Sequence, residues 1–128
     1  MERSEAYRRG AEMRAQLMGE DAAAAMNAGA YSDPAAQQFR DAAIELVFGG
    51  IWIRPGLDLK LRTLITVVAD AATGRDEIEI HLRMALRQGW TEQEITEAYI
   101  QLMGYVGAPL IRTAFVRSRP VFEEFRAT

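Results

Sequence analysis

The sequence contains no cysteine and only one histidine, His81, among its 128 residues. A chain without cysteine cannot form a disulfide framework, a zinc–thiolate centre, an iron–sulfur cluster or a cysteine nucleophile, and this composition suits a reducing cytosol. Long hydrophobic runs are also lacking: the longest, residues 64–72, is interrupted by Asp70 and is shorter than the ~20 residues that span a bilayer. The charged N-terminal residues lack the apolar core of a signal peptide. These absences predict a cytoplasmic protein without a membrane segment.

A strong excess of basic residues is absent as well. The formal net charge is -3, which argues against a nucleic-acid-binding surface and leaves small molecules and proteins as the expected partners. With 49% hydrophobic and 26% charged residues, the composition is typical of one compact globular domain, here residues 1–128. A domain of this size forms a core without metal or disulfide crosslinks.

The hydrophobic periodicity predicts an all-α fold of about six helices, because no alternating strand pattern is present. The predicted helices cover residues 4–18, 22–30, 34–48, 59–73, 77–88, 92–106 and a last segment from residue 109, with 22–30 either a short helix or a collar. The expected N-terminal caps are Asp33, Asp58, Asp76 and Thr91. Thr91 also forms a capping box with Glu94. Gly49-Gly50 is expected to end a helix before an apolar loop over residues 51–56.

His81 is the first candidate for chemistry, since the helical spacing places it beside Ile78, Leu82 and Ala85 on the face expected to be buried. A buried imidazole is a candidate acid or base, and the alternative is a core histidine hydrogen-bonded to a carbonyl. Glu77 lies four residues earlier, so its carboxylate can reach the ring and fix its tautomer. We expect no metal site, because one histidine and one glutamate make an incomplete ligand set.

Arg54 is the second candidate, in the loop that follows Trp52. Its planar guanidinium is suited to bidentate binding of a carboxylate, and the alternative is a structural ion pair with Asp58. Glycine-rich phosphate loops are missing, so no nucleotide cofactor is predicted. Four further side chains either line a pocket or belong to the core: Trp52, Tyr99, Met103 and Tyr105.

Four segments of the sequence resemble, in order and spacing, the carboxymuconolactone decarboxylase family. The most specific is the central run, Trp52-x-Arg54-Pro55-Gly56-Leu57-Asp58-x-Lys60-x-Arg62-x-Leu64-Ile65-Thr66. The others are His81-Leu82-Arg83-x-Ala85-Leu86-Arg87-x-Gly89, Tyr105-x-Gly107-x-Pro109 and Tyr7-x-x-Gly10-x-x-x-Arg14-x-x-Leu17-x-Gly19. Together they cover nearly the whole chain.

The resemblance implies an alkylhydroperoxidase-D-like helical fold, assembled as a homotrimer or homohexamer. A wider branch of that superfamily carries the motif Cys-x-x-Cys-x-x-x-His and works as a thiol peroxidase. Here the motif positions are occupied by Gly74, Glu77 and His81, and Thr63 replaces a glutamate that is usual in the branch. Peroxidase activity is therefore excluded by chemistry.

The resemblance also implies a reaction, the cofactor-free decarboxylation of γ-carboxymuconolactone in aromatic catabolism leading to β-ketoadipate. The substrate's conjugated lactone carbonyl accepts the electrons, so the expected ligand is a small carboxylate or lactone, with no cofactor. Arg54 would hold a carboxylate of this substrate. His81 would donate a proton or bind the dienolate oxygen, with Glu77 supporting it.

Three positions depart from the family pattern. Where family decarboxylases tend to have tyrosine or histidine, tryptophan and an acidic residue, this chain has Leu46, Phe48 and Gly50. If Leu46 and Phe48 line the substrate pocket with Trp52 and Tyr105, the substrate is larger or less polar than carboxymuconolactone. Two alternatives therefore stay open: a cofactor-free isomerase, cyclase or dehydratase, and a non-catalytic oligomeric binding or scaffold protein.

Overall fold

A computed structural model describes residues 2–127, which form seven α-helices and one π-helix and contain no strand. The predicted all-α class is confirmed, with seven α-helices rather than about six. The helices are α1 (Glu5–Met18), α2 (Glu20–Ala28), α3 (Pro34–Ala43), the π-helix (Ile44–Trp52), α4 (Leu59–Thr73), α5 (Ile78–Arg87), α6 (Glu92–Val106) and α7 (Ala108–Arg126). Within residues 2–127, no helix has the length and apolarity to cross a membrane.

The chain divides into two compact units at the boundary between Leu57 and Asp58. The N-terminal unit contains α1, α2, α3 and the π-helix, and the C-terminal unit contains α4 to α7. The expectation of one domain over residues 1–128 stays a prediction.

In the N-terminal unit, α1 and the π-helix approach each other so closely that their backbones touch at two glycines. A Cβ atom on Gly10 would lie 2.0 Å from the carbonyl oxygen of Ile44, and one on Gly49 would lie 2.0 Å from that of Ala6. The predicted helix end at Gly49-Gly50 is therefore wrong. Gly49 does not adopt the left-handed conformation; its lack of a side chain allows the two backbones to approach. The helix continues to Trp52, so the apolar loop expected over residues 51–56 is shorter than predicted.

Three of the four predicted helix caps are confirmed. The carboxylates of Asp33 and Asp58 accept backbone N–H groups at 2.9 Å and 2.7 Å. Thr91 and Glu94 form the reciprocal capping box, with bonds of 3.1 Å and 3.0 Å. Because each of these bonds joins residues three apart, a short sequence motif is sufficient to specify it.

The fourth prediction, that the Asp76 side chain caps α5, is wrong. Helix α5 begins after Glu77, without a side-chain cap. The Asp76 carboxylate instead forms an ion pair with Arg117 of α7, with a distance of 2.9 Å between the two charged groups. The competing partner lies far away in the sequence, so a local capping rule does not detect it.

The C-terminal unit has an apolar side-chain core to which α4, α5, α6 and α7 all contribute. Helix α4 ends at Thr73, as predicted, and Gly74 follows it in the left-handed conformation, with φ of 69°. Pro120 lies inside α7 without ending it. The buried cluster consists of Val67, Ala71, Ile78, Leu82, Ala85, Ile95, Tyr99, Ile111, Ala114, Val121 and Phe122.

Candidate active site

His81 lies near the start of α5, at the edge of this core. Its helix neighbours Ile78, Leu82 and Ala85 are buried, as the spacing predicted. The imidazole itself keeps 25% of its surface accessible. It is therefore both supported by the core and reachable by a small molecule.

The partner of the His81 ring is the carboxylate of Asp70, which lies on α4. Nδ1 of His81 contacts Oδ2 of Asp70, and only 5% of the Asp70 side chain is exposed. A buried carboxylate on one ring nitrogen fixes both the orientation and the tautomer of the imidazole. The other nitrogen, Nε2, is then left to exchange a proton with a ligand.

Tyr99 of α6 lies in the same core and is influenced by this carboxylate. Ser118 donates its hydroxyl proton to the carbonyl of Ala114 at 2.7 Å, so Tyr99 is the donor in its own 2.7 Å bond with Ser118. Burial raises the pKa of Tyr99 to about 12, and the negative charge of Asp70 contributes to the increase. Tyr99 is therefore a neutral hydrogen-bond donor at physiological pH.

Glu77, the carboxylate predicted to support His81, is exposed at the position before α5. Its backbone carbonyl accepts a 3.0 Å hydrogen bond from the His81 amide, as the helix requires. Its catalytic role stays a prediction. The sequence reasoning missed Asp70, although one signal was present: an aspartate that interrupts an otherwise apolar helix face has to find a polar partner.

The other predicted substrate-binding residues belong to different parts of the chain. Phe48 and Trp52 stack in the N-terminal unit, with ring centroids 6.3 Å apart, and Trp52 is buried. Leu46 is mostly exposed on the same π-helix, and Arg54 is exposed in the loop that follows. Tyr105 is exposed at the end of α6. Their roles in binding a substrate stay predictions.

A cavity of about 910 Å³ lies between α6 and α7 in the C-terminal unit. Tyr99 and Met103, for which the sequence left both a core and a pocket position possible, line this cavity. Tyr99 also belongs to the buried core. The guanidinium-bearing residues Arg112 and Arg119 also line this cavity. Over residues 2–127, no group of three or more metal-ligating side chains is clustered.

The His81 and Asp70 pair is suited to proton transfer. Neutral His81 can accept a proton on Nε2, and protonated His81 can donate one there, while Asp70 keeps the ring in place. The same arrangement serves any reaction that makes or uses a carbanion equivalent, so it does not identify the substrate by itself.

Comparisons with known proteins narrow the range of reactions to consider. The sequence profile of the carboxymuconolactone decarboxylase family matches residues 37–116. The 4-carboxymuconolactone decarboxylase of Acinetobacter baylyi is 30% identical over 121 residues, which cover 92% of this chain and 87% of that protein. The nitrosuccinic acid decarboxylase of Metarhizium robertsii is 39% identical over 66 residues, 51% of this chain and 46% of that protein.

A third relative is an uncharacterized 15.0 kDa protein of Paracoccus denitrificans, 32% identical over 84 residues that cover 63% of each chain. The resemblance found in the sequence motifs is thus confirmed by a profile over more than half of the chain and by a relative that spans nearly all of it. The protein belongs to the carboxymuconolactone decarboxylase family.

Proposed function

We propose that the protein is a decarboxylase, a carbon–carbon lyase that acts on a small activated carboxylic acid. Two observations support this. Relatives that match the chain are named as decarboxylases, and the C-terminal unit contains a partly exposed imidazole held by a buried carboxylate. The His81 and Asp70 pair is the observation that carries the proposal, because loss of CO₂ leaves a carbanion equivalent, delocalised onto the acceptor group, that must then be protonated.

The names of the two relatives indicate what their substrates share. Nitrosuccinic acid bears a nitro group on a carbon that also bears a carboxyl group, and carboxymuconolactone has a lactone carbonyl conjugated to the carbon that loses CO₂. Each group can accept an electron pair. The substrate class we propose is therefore a carboxylic acid with such an acceptor, including lactones and β-keto acids.

The reaction needs two steps. The bond between the carboxylate carbon and its neighbour breaks, CO₂ leaves, and the electron pair moves onto an oxygen of the acceptor group. The resulting enolate or nitronate then takes a proton from Nε2 of His81, which forms the new C–H bond, and His81 regains a proton from water. The substrate itself accepts the electrons, so this sequence requires no cofactor. Proton transfer of this kind contributes about 10² to 10⁴ in rate.

Asp70 acts through His81 and is a positioning residue. Arg54 is proposed to bind a second carboxylate of the substrate, as the family resemblance implies. Trp52, Phe48, Leu46 and Tyr105 are proposed to line the substrate site. A homotrimeric or homohexameric assembly in the cytoplasm, with a role in aromatic catabolism, completes the proposal.

The experiment is to incubate the purified protein with γ-carboxymuconolactone or with nitrosuccinate and to follow CO₂ release. We expect turnover of at least one of them and a loss of about 10² to 10⁴ in kcat in His81→Gln. Glu79→Gln, on the same helix, is the matched control and should keep its activity. Conversion without CO₂ release would instead indicate an isomerase, cyclase or dehydratase. No conversion, together with unaltered biological activity of His81→Gln, would indicate a scaffold protein.

A further inference from the structure

A second cavity lies within the N-terminal unit, and the proposed decarboxylation does not use it. Its volume is about 420 Å³, and α1, α2, α3 and Ile44 contribute to its lining. Much of the wall consists of alanine side chains, which leave the space open. Arg14, Arg40, Tyr7 and Asn27 supply polar groups.

Arg14 is the unusual member of this lining, because it is a buried cation. Only 6% of its surface is exposed. Its Nη1 donates to the Asn27 side-chain oxygen at 3.1 Å, and its guanidinium lies 5.7 Å from the ring centroid of Tyr31. Within residues 2–127, Nη2 has no hydrogen-bond partner. A buried guanidinium normally pairs with a carboxylate, since an unpaired buried charge is costly.

The charges around the cavity do not neutralise Arg14. Arg40 lines the same cavity, and its guanidinium is paired with Asp41 at 2.9 Å. Asp41 also binds Arg3 at 2.9 Å. Glu20 is the one carboxylate among the lining residues, and it is exposed at the start of α2. Asp41 therefore pairs with Arg40 and Arg3, and within residues 2–127 no carboxylate pairs with Arg14.

This imbalance also affects protonation. Burial lowers the pKa of Arg14 from its usual value, and repulsion from Arg40 lowers it further, while Tyr31 and Tyr7 oppose these effects. An anion beside the Arg14 guanidinium would offset this repulsion with an opposite charge.

We propose that this cavity is a binding site for a small organic carboxylate, anchored on the Arg14 guanidinium. A carboxylate fits because its two oxygens match the planar array of guanidinium N–H groups. The alanine-lined wall leaves room for a short carbon chain. The site lies within the N-terminal unit, and neither His81 nor Asp70 is among the residues that line it.

The test is thermal unfolding of the full chain in malonate, inorganic phosphate or chloride at matched ionic strength. A ligand that binds only the folded state raises Tm in a saturable way. We expect such a rise with malonate, and we expect Arg14→Gln to weaken binding by roughly tenfold to a hundredfold. No saturable rise with malonate, or a rise with phosphate alone, would overturn the proposal.

Because Arg14→Gln can itself destabilise the fold, a second variant leaves Arg14 in place. Ala24→Leu adds a larger side chain to the cavity wall from α2, whereas Ala25→Leu adds the same side chain at the neighbouring position, which is equally exposed but does not line the cavity. Malonate binding should be lost in Ala24→Leu and kept in Ala25→Leu. It should also persist in His81→Gln. Retention in Ala24→Leu, or loss in His81→Gln, would place the anion elsewhere and refute the assignment.

Discussion

The two units of this chain are stabilised in different ways. In the N-terminal unit, two helices approach until backbone atoms touch, and the positions of contact are Gly10 and Gly49. In the C-terminal unit, four helices bury a continuous cluster of apolar side chains. The first arrangement depends on the absence of side chains, and the second depends on their volume.

The units also differ in the polar groups that they bury. The N-terminal unit buries the Arg14 guanidinium, which has an amide partner but, over residues 2–127, no carboxylate partner. The C-terminal unit buries the Asp70 carboxylate against the imidazole of His81. A polar group that is buried with a complementary partner can be part of a catalytic pair, whereas a buried charge without a counter-ion indicates a place for a ligand.

The largest effect should come from filling the glycine contact of the N-terminal unit. Gly49→Ala would bring a Cβ atom to 2.0 Å from the Ala6 carbonyl oxygen, so the backbones must separate. We expect the free energy of unfolding to fall by about 3 kcal/mol or more, measured by urea denaturation. Gly50→Ala is the matched control, because its nearest atom would be 3.8 Å away. Equal stability of the two variants would contradict the close-contact interpretation.

The next effect concerns activity in the C-terminal unit. Asp70→Asn keeps the shape of the side chain and removes its charge, so the imidazole loses the group that orients it. We expect kcat to fall by about 10- to 100-fold with a smaller change in KM. Glu77→Gln should change kcat by far less, because that carboxylate is exposed. The reverse order of the two losses would assign the supporting role to Glu77, as the sequence alone predicted.

The contacts that the sequence predicts and those that it does not differ in how far apart their residues lie along the chain. The capping bonds of Asp33, Asp58 and Thr91 join residues three apart, and all three were predictable. The His81 and Asp70 contact joins residues 11 apart on two helices. It depends on how α4 and α5 pack, so helical periodicity places His81 beside the buried residues of its own helix but does not find Asp70, and the supporting role of Glu77 stays a prediction.

The same argument applies to glycine. Gly74 and Gly49 look alike in the sequence, yet Gly74 ends a helix with φ of 69° while Gly49 allows two backbones to meet. The first function is local and follows from the conformational freedom of glycine. The second requires knowledge of the neighbouring helix. The family resemblance includes Arg14 and His81 among its motif residues, and neither the burial of Arg14 nor the Asp70 carboxylate beside His81 follows from it.

A smaller effect should appear at alkaline pH, through the buried Tyr99. Its pKa is about 12 in the folded protein and about 10 in an unfolded chain. Between these values the folded state retains a proton that the unfolded state loses, so the free energy of unfolding decreases as pH rises from about 10 to 12. Tyr99→Phe should remove roughly 1 to 2 kcal/mol of this decrease.

The measurement is urea denaturation from pH 7 to 11.5, with Tyr105→Phe as the control because Tyr105 is exposed. Below about pH 9 the difference between Tyr99→Phe and the unsubstituted protein should be constant, since Tyr99 is neutral in both states. A difference that also changes between pH 7 and 9 would show that another group is responsible. Such a result would weaken the description of Tyr99 as a neutral donor to Ser118.

The smallest effect tests whether the stability of the C-terminal unit depends on a local capping hydrogen bond in addition to its apolar core. Thr91→Ala removes the side-chain oxygen that accepts from the Glu94 amide at 3.1 Å, so the first turn of α6 loses a cap. We expect a loss of about 1 kcal/mol in urea denaturation. Thr113→Ala, at an exposed position inside α7, should be neutral or slightly stabilising, because its hydroxyl bonds only to its own helix and alanine favours that conformation. Equal losses in both variants would mean that threonine at either position acts through packing, and the capping box would not be what begins α6.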